Sequence, residues 1–305
     1  MSFLSQPHFH NENAAYRRLE KILWPNGPVC VHCGNCEPKR IRRIRGESAR
    51  AGLLRCNECG KQFRATVGTV FEHSKIPLHK WFQAAHLIAS GKKGISAHQI
   101  HRTLKITYKS AWFMMHRLRE AMRSGDLAPL GGEGKTVEAD ETFIAQMRGR
   151  PVTKGVGNKR KVLTLIERGG KARSFHVEDL AVSTLNPIIR KNIAKESAFM
   201  TDEAIRFKGV GREFASHDTV DHSKEEYARG AAHVNTAEGF FALFKRGMRG
   251  VYQHCGEQHL HRYLAEFDFR YNNRTALGID DPARADILIG GIVGRRLTYR
   301  DSSAW

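Results

Sequence analysis

The chain has 305 residues, and 41% of them are hydrophobic, which is enough to bury a core and excludes a wholly disordered protein. Its 50 Lys and Arg residues exceed its 31 Asp and Glu residues and give a formal net charge of +19. This excess favours a polyanion such as nucleic acid as partner, because each cation placed on a phosphate releases condensed counterions.

The first residues contain no apolar core of the kind found in signal peptides. The sequence also contains no run of 18 apolar residues that could cross a bilayer. We therefore expect no membrane partner and a cytoplasmic protein. Residues 1–25 form a helical lead-in, with Ala15 and Leu19 at helical spacing and Trp24-Pro25 ending the helix.

Two pairs of cysteines dominate the next segment, residues 26–74. Cys30-x2-Cys33 and Cys56-x2-Cys59 have 22 residues between the inner pair, which is the spacing of two thiolate knuckles. Four soft ligands on two tight turns make a closed tetrahedral site that suits structural Zn²⁺. The segment is rich in Gly and Arg and has only short β-prone pieces, so we expect the metal to stabilise this zinc ribbon.

Cys36 offers an alternative, because Cys33-x2-Cys36 has the same spacing and could replace Cys30. We favour Cys30 and Cys33, since a Gly follows the second Cys there as it does after Cys59. Cys255 stands alone in the sequence and is interpreted as a free thiol.

Residues 75–126 change to helical periodicity and predict three short helices, with Ser96 and Thr107 as N-caps. The short turn at Lys105 to Thr107 is typical of a helix-turn-helix. Basic and polar groups are expected to face outward along the third helix, which predicts DNA binding.

A Gly-rich stretch at 127–135 predicts a domain boundary, and residues 133–290 are predicted to form the next domain. Three strand-like runs precede a helix and a fourth strand, and Gly169-Gly170 predicts a hairpin turn that joins the second and third runs as antiparallel strands. This order predicts an α/β fold with a mixed sheet of the ribonuclease-H-like kind.

Two acidic residues end apolar strands in this domain, Asp140 in VEADETFIA and Asp202 in AFMTD. Since alternate side chains of a strand share one face, Glu138 points with Asp140 and Glu141 points away. Two acids on adjacent strands could share a divalent cation.

A helix is predicted to begin near Thr236, with Glu238 in its first turn. Lys245 lies seven positions later, two turns on along the same face. Two strand-end Asp residues, followed after 35 further residues by a helix-borne Glu with this Lys spacing, resemble the DDE transposases and retroviral integrases.

The closer resemblance is to bacterial insertion-sequence transposases in which a zinc ribbon and a helix-turn-helix precede a DDE domain. It is carried by the Cys knuckles, EADETF, TDEA, HVNTAEGFFALFKRGMRGVYQH and YLAEFDFRYNNR, which span about residues 20 to 275. The resemblance implies an enzyme that binds terminal inverted repeats, acts on target DNA as a homo-oligomer, and cleaves and joins strands with Mg²⁺ or Mn²⁺.

The resemblance also implies the roles of the site residues. Asp140 would bridge two ions, Asp202 would hold one and Glu238 the other, while Lys245 would hold a DNA phosphate or a terminal base. Some relatives have Asn in the third position, so Asn235 is an alternative ligand, and it could instead cap the helix. The other acids that could be recruited to the metal are Glu138, Glu141, Glu203, Asp218 and Asp221. His233 is a candidate for a hydrogen bond to one of the metal ligands.

Two rival functions stay open at this point: a ribonuclease-H-like nuclease or resolvase that cuts without joining, and a non-catalytic DNA-binding regulator. In the last aromatic stretch, Tyr263, Phe267 and Tyr271 are four residues apart, which predicts core packing. Arg270, Asn272 and Arg274 are candidates for DNA contacts there.

Overall fold

The computed structural model describes residues 2–125, 128–147, 149–151, 155–221, 226 and 228–299. The chain forms two compact units, Met1–Arg123 with Arg274–Trp305, and Ser124–Asn273. In the described part of the chain, each helix is too short or too polar to cross a bilayer.

The ribbon segment of the first unit is a small antiparallel sheet with the strand order β1-β2-β3. Its core consists of a few side chains, and two of these belong to cysteines, Cys30 and Cys56. Hydrophobic burial in so small a core is not sufficient to stabilise the fold, so a further interaction such as metal binding is needed. The strands are β1 (Ile41–Arg43), β2 (Leu54–Cys56) and β3 (Gln62–Phe63).

The helical part of the first unit contains the predicted lead-in helix and the three predicted short helices. Both predicted N-caps are confirmed: the side chain of Ser96 accepts from the Gln99 N–H, and that of Thr107 accepts from the Ser110 N–H. Lys105 ends the second short helix in the left-handed region and makes the turn. The helices are α1 (Glu12–Leu23), α2 (Leu78–Ser90), α3 (Ala97–Leu104) and α4 (Tyr108–Met122).

The outward-facing basic surface predicted for α4 is wrong for the second half of the helix. Arg117 and Arg119 are buried, and Arg117 donates to the Glu72 carbonyl at 2.7 Å and lies 5.4 Å from the centre of the Trp81 ring. The polar groups of this helix that face solvent are therefore in its first turn, where Lys109 is exposed.

The segment after residue 273 packs with the first unit, whereas the predicted catalytic domain extends to residue 290. Its helix α9 (Asp281–Gly290) contacts α1, α2 and α4. The core of the first unit is thus built from segments at both ends of the described chain.

The second unit contains a five-stranded mixed sheet with the order β6-β5-β4-β7-β8. Strands β4, β5 and β6 are antiparallel, whereas β4, β7 and β8 are parallel, which confirms the predicted α/β fold. The structure adds the edge strand β8, which contains Asp218 and for which we predicted no strand. The strands are β4 (Thr136–Gln146), β5 (Lys159–Glu167), β6 (Ala172–Val177), β7 (Ala198–Asp202) and β8 (Ser216–Val220).

Helices cover both faces of this sheet, and alternation along β4 divides its side chains between two cores. Val137 and Ala139 belong to the core under α5 and α6, whereas Ile144 belongs to the core under α7 and α8. Asp140 has the parity of Ile144 and therefore faces α7. The helices are α5 (Val182–Asn192), α6 (Ile205–Gly211), α7 (Asn235–Gly247) and α8 (Leu260–Asn272).

Helix α8 confirms the predicted aromatic packing, since Tyr263 and Phe267 are buried in the core shared with α7. The DNA contacts suggested for two polar residues of this helix are wrong. Arg270 is buried in an ion pair with Glu266, and the side chain of Asn272 bonds the backbone of Ala172 on β6.

Candidate active site and metal centres

The four predicted cysteine ligands come together in the ribbon. Their sulfur atoms all lie within 4.8 Å of one another, and the Cys30–Cys59 and Cys33–Cys56 Sγ distances are both 3.7 Å. These separations exceed a disulfide bond of about 2.05 Å, so the four are free thiols.

Local backbone bonds prepare the knuckles for a metal. The Gly34 N–H donates to the Cys30 carbonyl, and the Cys56 N–H donates to the Lys61 carbonyl, which closes each turn. A hydrogen bond from the Cys59 backbone lowers the pKa of the Cys56 thiol to about 6 and so favours its thiolate. Four thiols on two turns fit a structural zinc ion.

A second cluster consists of carboxylates in the middle of β4 and at the carboxyl end of β7. The prediction that Asp140 ends its strand is wrong, because β4 continues to Gln146 while paired with β5. Oxygen atoms of Asp140, Glu141 and Asp202 all lie within 4.8 Å of one another. The parallel pairing of Glu138 with Met200 explains this, because two residues further along each strand it sets Asp140 beside Asp202.

Burial and mutual repulsion change the protonation of this cluster. Burial is the main cause that raises the pKa of Asp140 to about 7, and the charges of Glu141 and Asp202 raise it further. Burial and then the charge of Asp202 raise the pKa of Glu141, also to about 7. The folded protein therefore resists full ionisation of the cluster, which a divalent cation would relieve. Oxygen ligands of this kind suit Mg²⁺ or Mn²⁺.

Glu141 is the member that sequence reasoning set aside. It does point to the opposite face from Asp140, where its carboxylate is 2.9 Å from Arg206 Nη1 of α6. It lies beside Asp202 because β7 ends at Asp202, so that on the β7 side β4 has no paired strand beyond this point, whereas on its other side it stays paired with β5. Strand alternation alone gives no signal of this.

Helix α7 carries Glu238 in its first turn and Lys245 in its last. The charge of Glu238 contributes to raising the pKa of Asp140, although Glu238 is not a member of the tight cluster. Burial and the charge of Arg249 lower the pKa of Lys245, which the charge of Asp140 opposes. Both side chains are thus electrostatically coupled to Asp140.

The remaining predicted residues lie outside the cluster. Asn235 is exposed and is the first residue of α7, while Val234 occupies the N-cap position without a side-chain bond, so the capping role considered for Asn235 is wrong. His233 lies beside Glu138, with 3.3 Å between Nδ1 and Oε1. Among the described residues, Glu203, Asp218 and Asp221 are not members of either cluster.

Two family models match this chain. Residues 129–272 match the ISXO2-like transposase domain, and residues 10–62 match the transposase zinc-ribbon domain. The chain is also 28% identical, over 282 residues, to an uncharacterized protein in transposable element ISH50 of Halobacterium salinarum, and the alignment covers 86% of this chain and 91% of that protein. The two domain matches fall on the two clusters described above.

Replacing Cys56 by Ser should release the metal and unfold the ribbon, because the ribbon core is too small to persist without it. Metal analysis of protein purified without chelator should give one zinc per chain for the wild type and none for Cys56→Ser. Cys36 is exposed and outside the cluster, so Cys36→Ser is the matched control and should keep its zinc. Zinc retained by Cys56→Ser would contradict the assignment.

Asp140→Asn should stabilise the protein when Mg²⁺ and Mn²⁺ are absent. The folded pKa of Asp140 lies above its ordinary value, so the wild type loses stability as the pH rises from about 4 through 7. Calorimetry without chelator, which leaves ribbon zinc in place, should show a higher melting temperature for Asp140→Asn at pH 8 and a smaller difference at pH 5.

Asp179→Asn is the opposite-sign control for this measurement. Bonds from the Thr184 hydroxyl and the Ala181 N–H lower the pKa of Asp179, so its charge stabilises the fold above its ordinary pKa. Asp179→Asn should therefore lower the melting temperature at pH 8. An Asp140→Asn protein that melts below the wild type at pH 8 would disprove the repulsion argument.

Proposed function

Since this chain belongs to the IS1595-type transposases, we propose that it binds the terminal inverted repeats of its element and catalyses metal-dependent DNA cleavage and strand transfer. The observation that carries the proposal is the half-buried carboxylate cluster formed by the middle of β4 and the end of β7, close to a helix with an acid and a lysine. A purely structural sheet has no need of acids that raise one another's pKa.

Asp140, Asp202 and Glu238 would hold Mg²⁺ or Mn²⁺ in this proposal. When bound, these ions supply activation of a water or 3′-hydroxyl nucleophile and neutralisation of the leaving oxygen. Asp140 is the central residue, because its carboxylate is affected by every other acid of the site. Asn235 remains the alternative third ligand, since it is exposed on the same first turn as Glu238.

Lys245 would bind substrate rather than transfer a proton. Its ammonium group is partly buried near Asp140 and beside another cation, Arg249. Two cations next to an acidic site suit the phosphates that flank a scissile bond. Lys245 would thus hold the DNA end while the carboxylates act on it.

The ribbon and the helix-turn-helix would provide the grip on DNA. The exposed groups at the start of α4 include Tyr108 and Lys109, and Arg102 is exposed on α3. In helix-turn-helix proteins the first residues of the second helix contact base edges. A homo-oligomer would bring two element ends together, and this DNA substrate implies work in the cytoplasm at the nucleoid.

The variants Asp140→Asn, Asp202→Asn and Glu238→Gln should each abolish strand cleavage and joining and leave DNA binding intact. Each substitution keeps the shape of the side chain and removes the charge that holds a metal ion. Losing that ion removes several kcal/mol of transition-state stabilisation, which lowers the rate by at least about 10³-fold. The measurement is Mg²⁺-dependent release of a labelled 3′ end from inverted-repeat DNA, followed by detection of the joined product.

Asn235→Ala is the control for the third position and should stay active. An active Glu238→Gln together with an inactive Asn235→Ala would move the third ligand to Asn235. Cleavage by the wild type without any joined product would replace the transposase with a nuclease, and binding without cleavage would favour a regulator.

Affinity for inverted-repeat DNA should fall steeply with salt concentration, as expected when several phosphates are neutralised. Lys109→Ala should weaken binding and reduce the slope of log affinity against log salt by about 1. Lys191→Ala, an exposed lysine on α5 of the other unit, is the control. Equal slopes for Lys109→Ala and the wild type would exclude a phosphate contact by Lys109.

A further inference from the structure

Glu138 is a fully buried acid on β4, two residues before Asp140 and on the same face of the strand. It is not a member of the carboxylate cluster. Its carboxylate instead accepts from the backbone N–H groups of Thr236 and Ala237, at 2.9 and 3.0 Å, and from the Thr236 hydroxyl at 2.8 Å. Glu138 therefore bonds the first turn of α7 across 98 residues of sequence.

This bond replaces a local helix cap. Val234 at the N-cap position has no side chain that could accept a hydrogen bond, so the first N–H groups of α7 need an acceptor from elsewhere. A carboxylate suits the partial positive charge at a helix N-terminus. The helix can begin at this place because β4 presents Glu138 to it.

Arg168 completes the connection. Its Nε donates to Glu138 Oε1 at 2.6 Å, and its Nη1 and Nη2 donate to the carbonyls of Ala231 and His233, both at 2.8 Å. One guanidinium thus ties the buried acid to the segment that leads into α7. Directed hydrogen bonds of this kind fix both the position of the helix along its axis and its rotation about that axis.

The first turn held in this way carries Glu238, the residue directly after Ala237. A buried ion pair adds little stability compared with apolar packing, and breaking it is costly. Its contribution here is orientation, because the Phe-rich core under α7 already supplies hydrophobic burial. Geometry at the metal site depends on such supporting contacts as much as on the ligands themselves.

We infer that Glu138 and Arg168 are positioning residues, which lock the first turn of α7 onto β4 and thereby set Glu238 opposite Asp140 for the divalent metal. This inference rests on the proposed function. The cap and the metal site share one strand and one helix, so loosening the cap should weaken metal binding even though neither residue touches the ion.

The test measures Mn²⁺ affinity of the zinc-loaded full chain by calorimetric titration, and Mn²⁺ dependence of 3′-end release. Glu138→Gln should raise the Mn²⁺ dissociation constant by about 10- to 100-fold. Cleavage should recover in part at high Mn²⁺ concentration, a rescue that general destabilisation would not produce.

Glu12→Gln is the matched control, because Glu12 makes the same kind of remote cap in the first unit. Its carboxylate accepts from the Leu78 and His79 N–H groups at the start of α2, far in sequence from any candidate metal ligand of the sheet. Glu12→Gln should lower the melting temperature and leave the Mn²⁺ affinity unchanged.

A milder pair covers the case in which Glu138→Gln does not fold. Thr236→Val removes one hydroxyl bond to Glu138, and Thr184→Val removes an equivalent hydroxyl bond to Asp179 at the start of α5. Weaker Mn²⁺ binding in Thr236→Val but not in Thr184→Val supports the inference. Unchanged Mn²⁺ binding in Thr236→Val overturns it.

Asp140→Asn separates this inference from the proposed function. Wild-type Mn²⁺ affinity in Asp140→Asn would remove the metal assignment itself and the inference with it. Lost affinity in Asp140→Asn, with unchanged affinity in both Glu138→Gln and Thr236→Val, would overturn only the positioning role.

Discussion

The constraint on which the second unit depends is that several carboxylates must be held together against their own repulsion. The parallel pair β4 and β7 places Asp140, in the middle of β4, beside Asp202 at the end of β7. Burial then raises the free energy of the charged forms of Asp140 and Glu141. A fold that tolerates this needs rigid support on both sides, and two apolar cores on the two faces of the sheet provide it. The site is thus a strained feature of a well-packed unit, which is typical of positions kept for function.

The ribbon and the second unit are stabilised by different interactions. The ribbon has a core of a few side chains and relies on four cysteines that a metal would join. The second unit buries large aromatic side chains such as Phe199, Phe244 and Phe267, so hydrophobic burial stabilises its fold. A metal in the ribbon would therefore stabilise the fold, whereas in the proposed function a metal at the carboxylates would serve the reaction.

Local patterns predicted most of the elements, because they reflect local physics. The strand runs of the sheet, the caps at Ser96 and Thr107 and the two Cys knuckles all follow from periodicity, capping or ligand spacing. What the sequence could not reveal depends on distant partners. The sequence EAD does not distinguish the roles of Glu138 and Asp140. In the folded protein Glu138 accepts a hydrogen bond from the first turn of α7, whereas Asp140 belongs to the acid cluster. The sequence predicts that Arg117 is a surface cation, but in the structure it is buried against the Trp81 ring and donates a hydrogen bond to the Glu72 carbonyl.

Helix α9 has a consequence for how the protein is made. It packs on α1, α2 and α4, yet the whole second unit lies between these helices in the sequence. A ribosome synthesises the chain from its amino end, and domains generally fold as their residues emerge. The contacts between α2 and α9 can therefore form only after the second unit has been translated. The order of synthesis makes the first unit, although it starts first, the last to be completed.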